Sequence, residues 1–303
     1  SNALAAAMIA VGLGPGDEVL IPAHTYMATA TSVLAVGAIP VIVDIDESIT
    51  ISPKAVEAAI GPRTRAVVPV HMWGAAADMD AIMDIAARRN LIVIEDACQG
   101  VGGGYKGKKF GAIGHIGAFS FNYYKNMTSG EGGMITTPSA EVARLARVLR
   151  NQGMERRYEN EVVGFNTRMT DIHAAIGRVQ LTKLAGWTAK RQENAAFLSA
   201  NLEGVVTPPT APGAVHVFHQ YTIRVVDHDR DAFAEQLTQR GVGSGVYYPT
   251  PIHRPPSFRL DLDLPVTEVA TTQVLSLPIY PSLTEDELGT IVEAVNAVAK
   301  AGA

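Results

Sequence analysis

The chain has 303 residues, 47% hydrophobic and 18% charged, an ordinary balance for an enzyme with room for one large and one smaller domain. A formal net charge of −5 argues against nucleic acid or an anionic membrane surface as the main partner. Cys98 is the single cysteine, so an internal disulfide is excluded; this fits a reducing cytosol, and a cytoplasmic location is expected. No apolar run reaches membrane-spanning length.

Ser1-Asn2-Ala3 reads either as an expression scar or as natural sequence. Residues 4–11 are expected to form an amphipathic helix. Gly14-Pro15-Gly16-Asp17 is a turn into a strand over 18–21. A strand follows these glycines, not a helix, which argues against a phosphate loop. A helix capped by Thr25 is expected to run to about Val36. Alternation continues with a strand over 40–44, a helix from Ser52-Pro53 to Ile60, a strand over 66–71, a helix over 78–90 and a strand over 91–95. Such alternation implies parallel strands with right-handed crossovers. The glycine-rich stretch 100–111 reads as a β-hairpin. Further strands are expected over 116–121 and 134–136, then a helix over 139–150 and a long one over 170–200. Residues 207–213 make an extended connector. A strand over 218–226, a helix over 230–240, a short strand near 243–248 and a helix over 284–300 complete a smaller α+β unit.

Two stretches carry chemistry. Leu91-Ile92-Val93-Ile94 is a strand buried on both faces, and it ends in Glu95-Asp96-Ala97-Cys98-Gln99. α/β sheets place ligand contacts at the carboxyl ends of such strands. Phe119-Ser120-Phe121-Asn122-Tyr123-Tyr124-Lys125 follows, with Lys125 standing 29 positions after Asp96. Burial disfavours an ammonium and lowers a lysine's pKa, which makes the amine a nucleophile toward carbonyl substrates or pyridoxal phosphate. A pyridoxal phosphate site needs an acid under the pyridine nitrogen and a lysine on the aldehyde carbon. His24, His71 and His115 have no metal-ligand spacing, and no metal site is expected.

These motifs, with Gly130-Glu131-Gly132-Gly133, resemble the DegT/DnrJ/EryC1/StrS family of sugar aminotransferases. The resemblance runs through essentially the whole chain. It implies an α/β, fold-type-I pyridoxal phosphate transferase. The large α/β/α domain, on a mostly parallel sheet, is expected over 1–185, and the smaller C-terminal α+β domain over 186–303. It implies Lys125 as the Schiff-base lysine and acid–base group, and Asp96 under the pyridine nitrogen. Gln99 would place the ring or its phenolic oxygen, and Ser120 would bond the phosphate. Tyr26 matches an aromatic that stacks on the ring; the other reading is a core tyrosine. Gly164-Phe165-Asn166-Thr167-Arg168-Met169 matches a motif whose asparagine reaches the partner subunit's cofactor phosphate, so a homodimer with shared active sites is expected through Asn166. Arg168 is either structural or a contact for the donor carboxylate. Tyr248 and His253 lie in a segment near the family's substrate pocket, with packing roles as the alternative. Relatives carry Gly-Thr-x-Ala-Leu at the first helix; Ala3-Leu4 match its end, Ser1 falls at the threonine, and the chain is short by the glycine and a preceding segment.

The expected activity is transfer of an amino group from glutamate or glutamine to a keto-sugar, nucleotide-linked in most of the family, or to a keto-cyclitol. Other pyridoxal phosphate chemistry on the same fold, or a non-catalytic truncated relative, are the alternatives. Some relatives are dehydratases with histidine at the lysine position, and Lys125 argues against that branch.

Overall fold

The structure is a computed structural model and describes residues 1–301. Helix α1 (Asn2–Ala10) leads to strand β1 (Glu18–Pro22), helix α2 (Ala28–Ala35), β2 (Ile39–Val43), α3 (Pro53–Ala59), β3 (Thr64–Val67), α4 (Met79–Arg89) and β4 (Ile92–Asp96). A short hairpin, β5 (Gly104–Tyr105) and β6 (Lys108–Lys109), precedes β7 (Ile116–Ser120), β8 (Gly133–Thr136) and α5 (Ala140–Arg150). A second hairpin, β9 (Met154–Arg156) and β10 (Glu159–Asn160), leads to the long helix α6 (Asp171–Asn201). The C-terminal part holds β11 (Ala214–Val215), β12 (Tyr221–Arg224), α7 (Arg230–Gln239), α8 (Pro265–Gln273), β13 (Val274–Leu277) and α9 (Glu285–Ala301).

The central sheet has the order β2-β1-β3-β4-β7-β8. Every neighbouring pair is parallel except β7 with β8. Successive side chains of a strand face opposite sides, and both sides are covered. Val19, Ile21, Ala66 and Ile94 pack with Leu4, Met8 and Val33 of α1 and α2. Leu20, Val67 and Val93 pack with Val56, Met79 and Ile82 of α3 and α4. Burial on both faces is why these strands read as unbroken apolar runs. Helix starts follow local chemistry: the side chains of Ser52, Asp78, Ser139, Thr170 and Asp229 accept the backbone N–H three residues on.

Several local expectations change. Residues 2–10 are helical but not amphipathic: α1 packs against α2, α5, β7 and β8, and apolar residues lie all round it. Thr25 does not cap α2, which starts at Ala28; its hydroxyl pairs with Thr29 instead. Residues 243–248 make no strand. Gly245 exchanges both backbone bonds with Ser276, and the chain then leaves the sheet toward the large body. Helix α8 and strand β13 were not read from the sequence. β13 pairs antiparallel with β12 and is buried along its whole length.

The second half of α6, α7, α9, β12 and β13 share an apolar core of their own, with Leu198, Tyr221, Phe233, Leu275 and Ile291 among its members. Ile252 and Leu264 instead pack into the large core with Leu4 and Ile21.

Candidate active site

Asp96 ends β4 at the carboxyl edge of the sheet and is 5% exposed. The Thr29 hydroxyl donates to its Oδ2 at 2.9 Å, and the Cys98 N–H donates to Oδ1 at 3.2 Å. Thr25 precedes Thr29 by four residues, with the two hydroxyls 2.9 Å apart. Burial, with Asp96 adding to it, pushes the Cys98 thiol up, so it stays protonated. The strand's pleat sends Glu95 the other way. There it accepts the N–H groups of Gly111 (2.7 Å), Ile113 (2.8 Å) and Gly114 (2.6 Å). His71 Nδ1 accepts the Ala77 N–H, so its Nε2 carries the proton and donates to Glu95 at 3.0 Å. His71 and Glu95 thus hold the loop that leads into β7.

The lysine sits on the loop after β7, beyond the pair β7–β8. Phe121 and Met127 bury the loop's two ends, and the Ser129 N–H closes it onto Phe121 O. Lys125 Nζ lies 4.8 Å from the centre of the Tyr124 ring. Burial lowers the Lys125 pKa, while Cys98 and Asp96 act in the opposite direction. Ser120 Oγ accepts the Asn122 N–H at 3.4 Å. β-pairing sets Ser120 opposite Gly133, and a Cβ on Gly133 would stand 3.4 Å from the Cβ of Ala3. The first turn of α1 and Ser120 therefore meet at one place.

Gln99, 6% exposed, links the other wall. Its Oε1 accepts the Trp73 N–H (2.8 Å), and its Nε2 donates to the Tyr248 hydroxyl (3.4 Å). The Tyr248 N–H in turn donates to His24 Nε2 at 3.2 Å. Burial lowers His24 to about 4, so it is a neutral acceptor. Burial also pushes the Tyr248 phenol up. The Tyr26 and Tyr248 ring centres are 5.8 Å apart. Tyr26 is 52% exposed, which overturns the reading of it as a core residue and leaves a ring face open to a ligand.

Three anticipated residues lie apart from this group. Asn166 is exposed and makes a backbone bridge with Asn151. Arg168 is exposed and donates to Asn151 Oδ1 at 2.6 Å. His253 is fully buried, its Nε2 2.9 Å from Glu268 Oε1. Conversely, Thr29, His24, Asn126 and His219 border the site without having been singled out. Asn126 follows the lysine and was within reach of motif reasoning. The others depend on contacts with distant segments and carry no local signal.

An acid at the sheet's carboxyl edge, a half-buried lysine on the loop after the neighbouring strand and helices on both faces belong to the fold-type-I pyridoxal phosphate enzymes. The chain belongs to the DegT/DnrJ/EryC1/StrS aminotransferase family, whose profile matches residues 1–296. It is 42% identical to the pleiotropic regulatory protein of Geobacillus stearothermophilus, over 97% of this chain and 82% of that protein. It is 41% identical to the dTDP-3-amino-3,4,6-trideoxy-α-D-glucose transaminase of Streptomyces venezuelae, over 97% of this chain and 79% of that protein. The crystal structure of Bacillus subtilis NtdA with bound cofactor PMP superposes with a TM-score of 0.92 at 35% identity, covering 99% of this chain and 71% of that one.

Proposed function

We propose that this protein is a pyridoxal phosphate-dependent aminotransferase that moves an amino group from glutamate or glutamine to a keto-sugar. A nucleotide-linked keto-sugar is the favoured acceptor, in line with the activity named for the S. venezuelae relative, and a keto-cyclitol the other. The observation that carries the reading is that Lys125, its pKa lowered by burial, lies within the electrostatic reach of Asp96.

The residues fit the cofactor. A carboxylate offers about four acceptor positions, and Thr29 and Cys98 fill two of those on Asp96, leaving room for a ring N–H. Bound there, pyridoxal phosphate supplies the electron sink that stabilises a carbanion at the donor's Cα. Asp96 would hold the proton on the ring nitrogen. Lys125 would hold the aldehyde carbon, and its Nζ is the group that would accept and return a proton beside it, as base and then as acid. Ser120 and the N–H groups at the start of α1 take the phosphate. Gln99 would orient the ring, and Tyr26 would cover its face. Tyr248 stands at the substrate side; Arg168, bonded to Asn151, and His253, bonded to Glu268, keep the structural roles that were their alternatives within this protomer.

Asn166 belongs to the partner's site in this reading, which makes the protein a homodimer. Its exposure supports that role, as do the exposed Ile172, Ile176 and Val179 on the first half of α6. The division into 1–185 and 186–303 is part of the same proposal. The separate C-terminal core favours it, and Ile252 and Leu264 blur it. The acidic chain without nucleic-acid or membrane chemistry points to the cytoplasm. A second reading, a regulatory protein without turnover, draws on the name of the Geobacillus relative. The presence of Asp96, Ser120 and Lys125 together weighs against it.

The absorbance spectrum with added pyridoxal phosphate, before and after glutamate, tests the proposal beside Lys125→Ala. A yellow band that bleaches with the donor, and that the variant lacks or alters, is expected. A colourless protein that takes up no cofactor overturns it.

A further inference from the structure

Residues His216 to Gln220 thread between three parts of the chain. The Val217 N–H donates to Gly74 O (3.2 Å), and the Gln220 N–H to Trp73 O (3.3 Å). From α6, Gln192 Nε2 donates to His216 O (2.9 Å) and Arg191 Nη1 to Phe218 O (3.0 Å). A fifth tie runs to the residue after Lys125. Asn126, 8% exposed, donates through Nδ2 to Val217 O at 3.0 Å. That bond orients the amide and leaves Oδ1 facing His219 Nδ1, also at 3.0 Å.

An amide oxygen only accepts, so Nδ1 of His219 must carry the ring's proton. The lone pair of the neutral ring then lies on Nε2, which makes no hydrogen bond among the described residues. Burial lowers His219 to about 3, and the charged groups that face it, Lys125 and Arg191, act in the same direction. The Tyr124 ring stacks against it, 6.4 Å between centres, and the same ring carries Lys125 Nζ at 4.8 Å. A neutral imidazole with one free acceptor thus shares the Tyr124 ring with the lysine.

We propose that His219 is a positioning residue for Lys125: Asn126 locks its proton on Nδ1, and its Nε2 offers an acceptor to a proton-bearing amine in this pocket, that of Lys125 above all. The inference rests on reading Lys125 as the reactive amine. That amine must hold and release a proton during turnover, and an acceptor beside it steadies the protonated form.

The test is made on cofactor-free protein. Nitrogen-15 NMR of the imidazoles, with His219 assigned by its loss in His219→Gln, reads the tautomer. The pH dependence of trinitrophenylation, with Lys125 assigned by difference from Lys125→Ala, reads the amine. The Nδ1–H tautomer is expected to persist, neutral, down to pH 5, and Asn126→Leu is expected to mix the tautomers. Loss of the acceptor in His219→Leu is expected to lower the Lys125 midpoint by about one unit. His219→Gln keeps a donor for Asn126 and an acceptor for the amine, and is expected to hold the midpoint near the wild-type value. An Nε2–H tautomer in the wild type, or an unmoved midpoint in His219→Leu, overturns the inference. Failure of the protein to take up pyridoxal phosphate overturns the proposed function but leaves these readouts intact.

Discussion

The Thr29 hydroxyl donates to Asp96 across 67 residues of sequence, at 2.9 Å, with both side chains nearly sealed from solvent. Its other neighbour is the Thr25 hydroxyl, so the acid sits at the end of a short chain of hydroxyls from the start of α2. This chain fixes the orientation of the Asp96 carboxyl. Thr29→Val is therefore expected to weaken pyridoxal phosphate binding by about 10–100-fold, since a hydrogen bond to a charged group contributes about 1.5–3 kcal/mol. Equilibrium titration of the cofactor band measures it, and an unchanged dissociation constant would show that Asp96 needs no such support.

Lys125→Met is expected to make the protein inactive and more stable at neutral pH. Burial holds the folded-state pKa of Lys125 below its unfolded value. The folded state therefore binds this proton less well than the unfolded one, and stability suffers at every pH where the unfolded lysine is charged. The gain in the variant is expected to fade as pH rises through the ordinary lysine value of about 10.4. Denaturant titration of cofactor-free protein at pH 7 and near pH 11 checks the sign; a variant less stable at pH 7 contradicts it.

Glu95→Gln is expected to cost about 2–4 kcal/mol, because an amide NH2 would face N–H groups that now share a carboxylate. Burial opposes the charge on Glu95, but the bonds from His71, Gly114 and Gly111 outweigh it and hold the carboxyl below its usual range. Its contribution is present above the usual carboxylate range and is lost as pH falls through the lowered value. Chemical denaturation against pH is expected to show a shallower loss on the acid side in the variant.

Mixing Lys125→Ala protein with Asn166→Ala protein tests the shared site. If Asn166 serves the partner's cofactor, half of a random mixture is heterodimer with one intact site, giving about a quarter of wild-type activity. If Asn166 serves its own chain, no intact site can form and the mixture stays inactive.

What the sequence determined by itself is the layered α/β fold and the chemistry of its edge. Apolar runs at 18–21 and 91–94, separated by capped helices, already demand strands covered on both faces. The spacing of Asp96, Ser120 and Lys125 marks the site because these residues lie at the ends of the neighbouring strands β4 and β7 and on the loop after β7. Tertiary structure alone decided the rest. Thr29 meets Asp96 only when α2 packs on the sheet, and Gln99 meets Tyr248 and Asn126 meets His219 only when the C-terminal part closes on it. Helix α8 and strand β13 escaped for the same reason: their place depends on Asp44 at the helix start and on β12 alongside, not on a local pattern. Hydrogen bonds between segments far apart in sequence leave no periodicity to read, and they set which proton each side chain keeps.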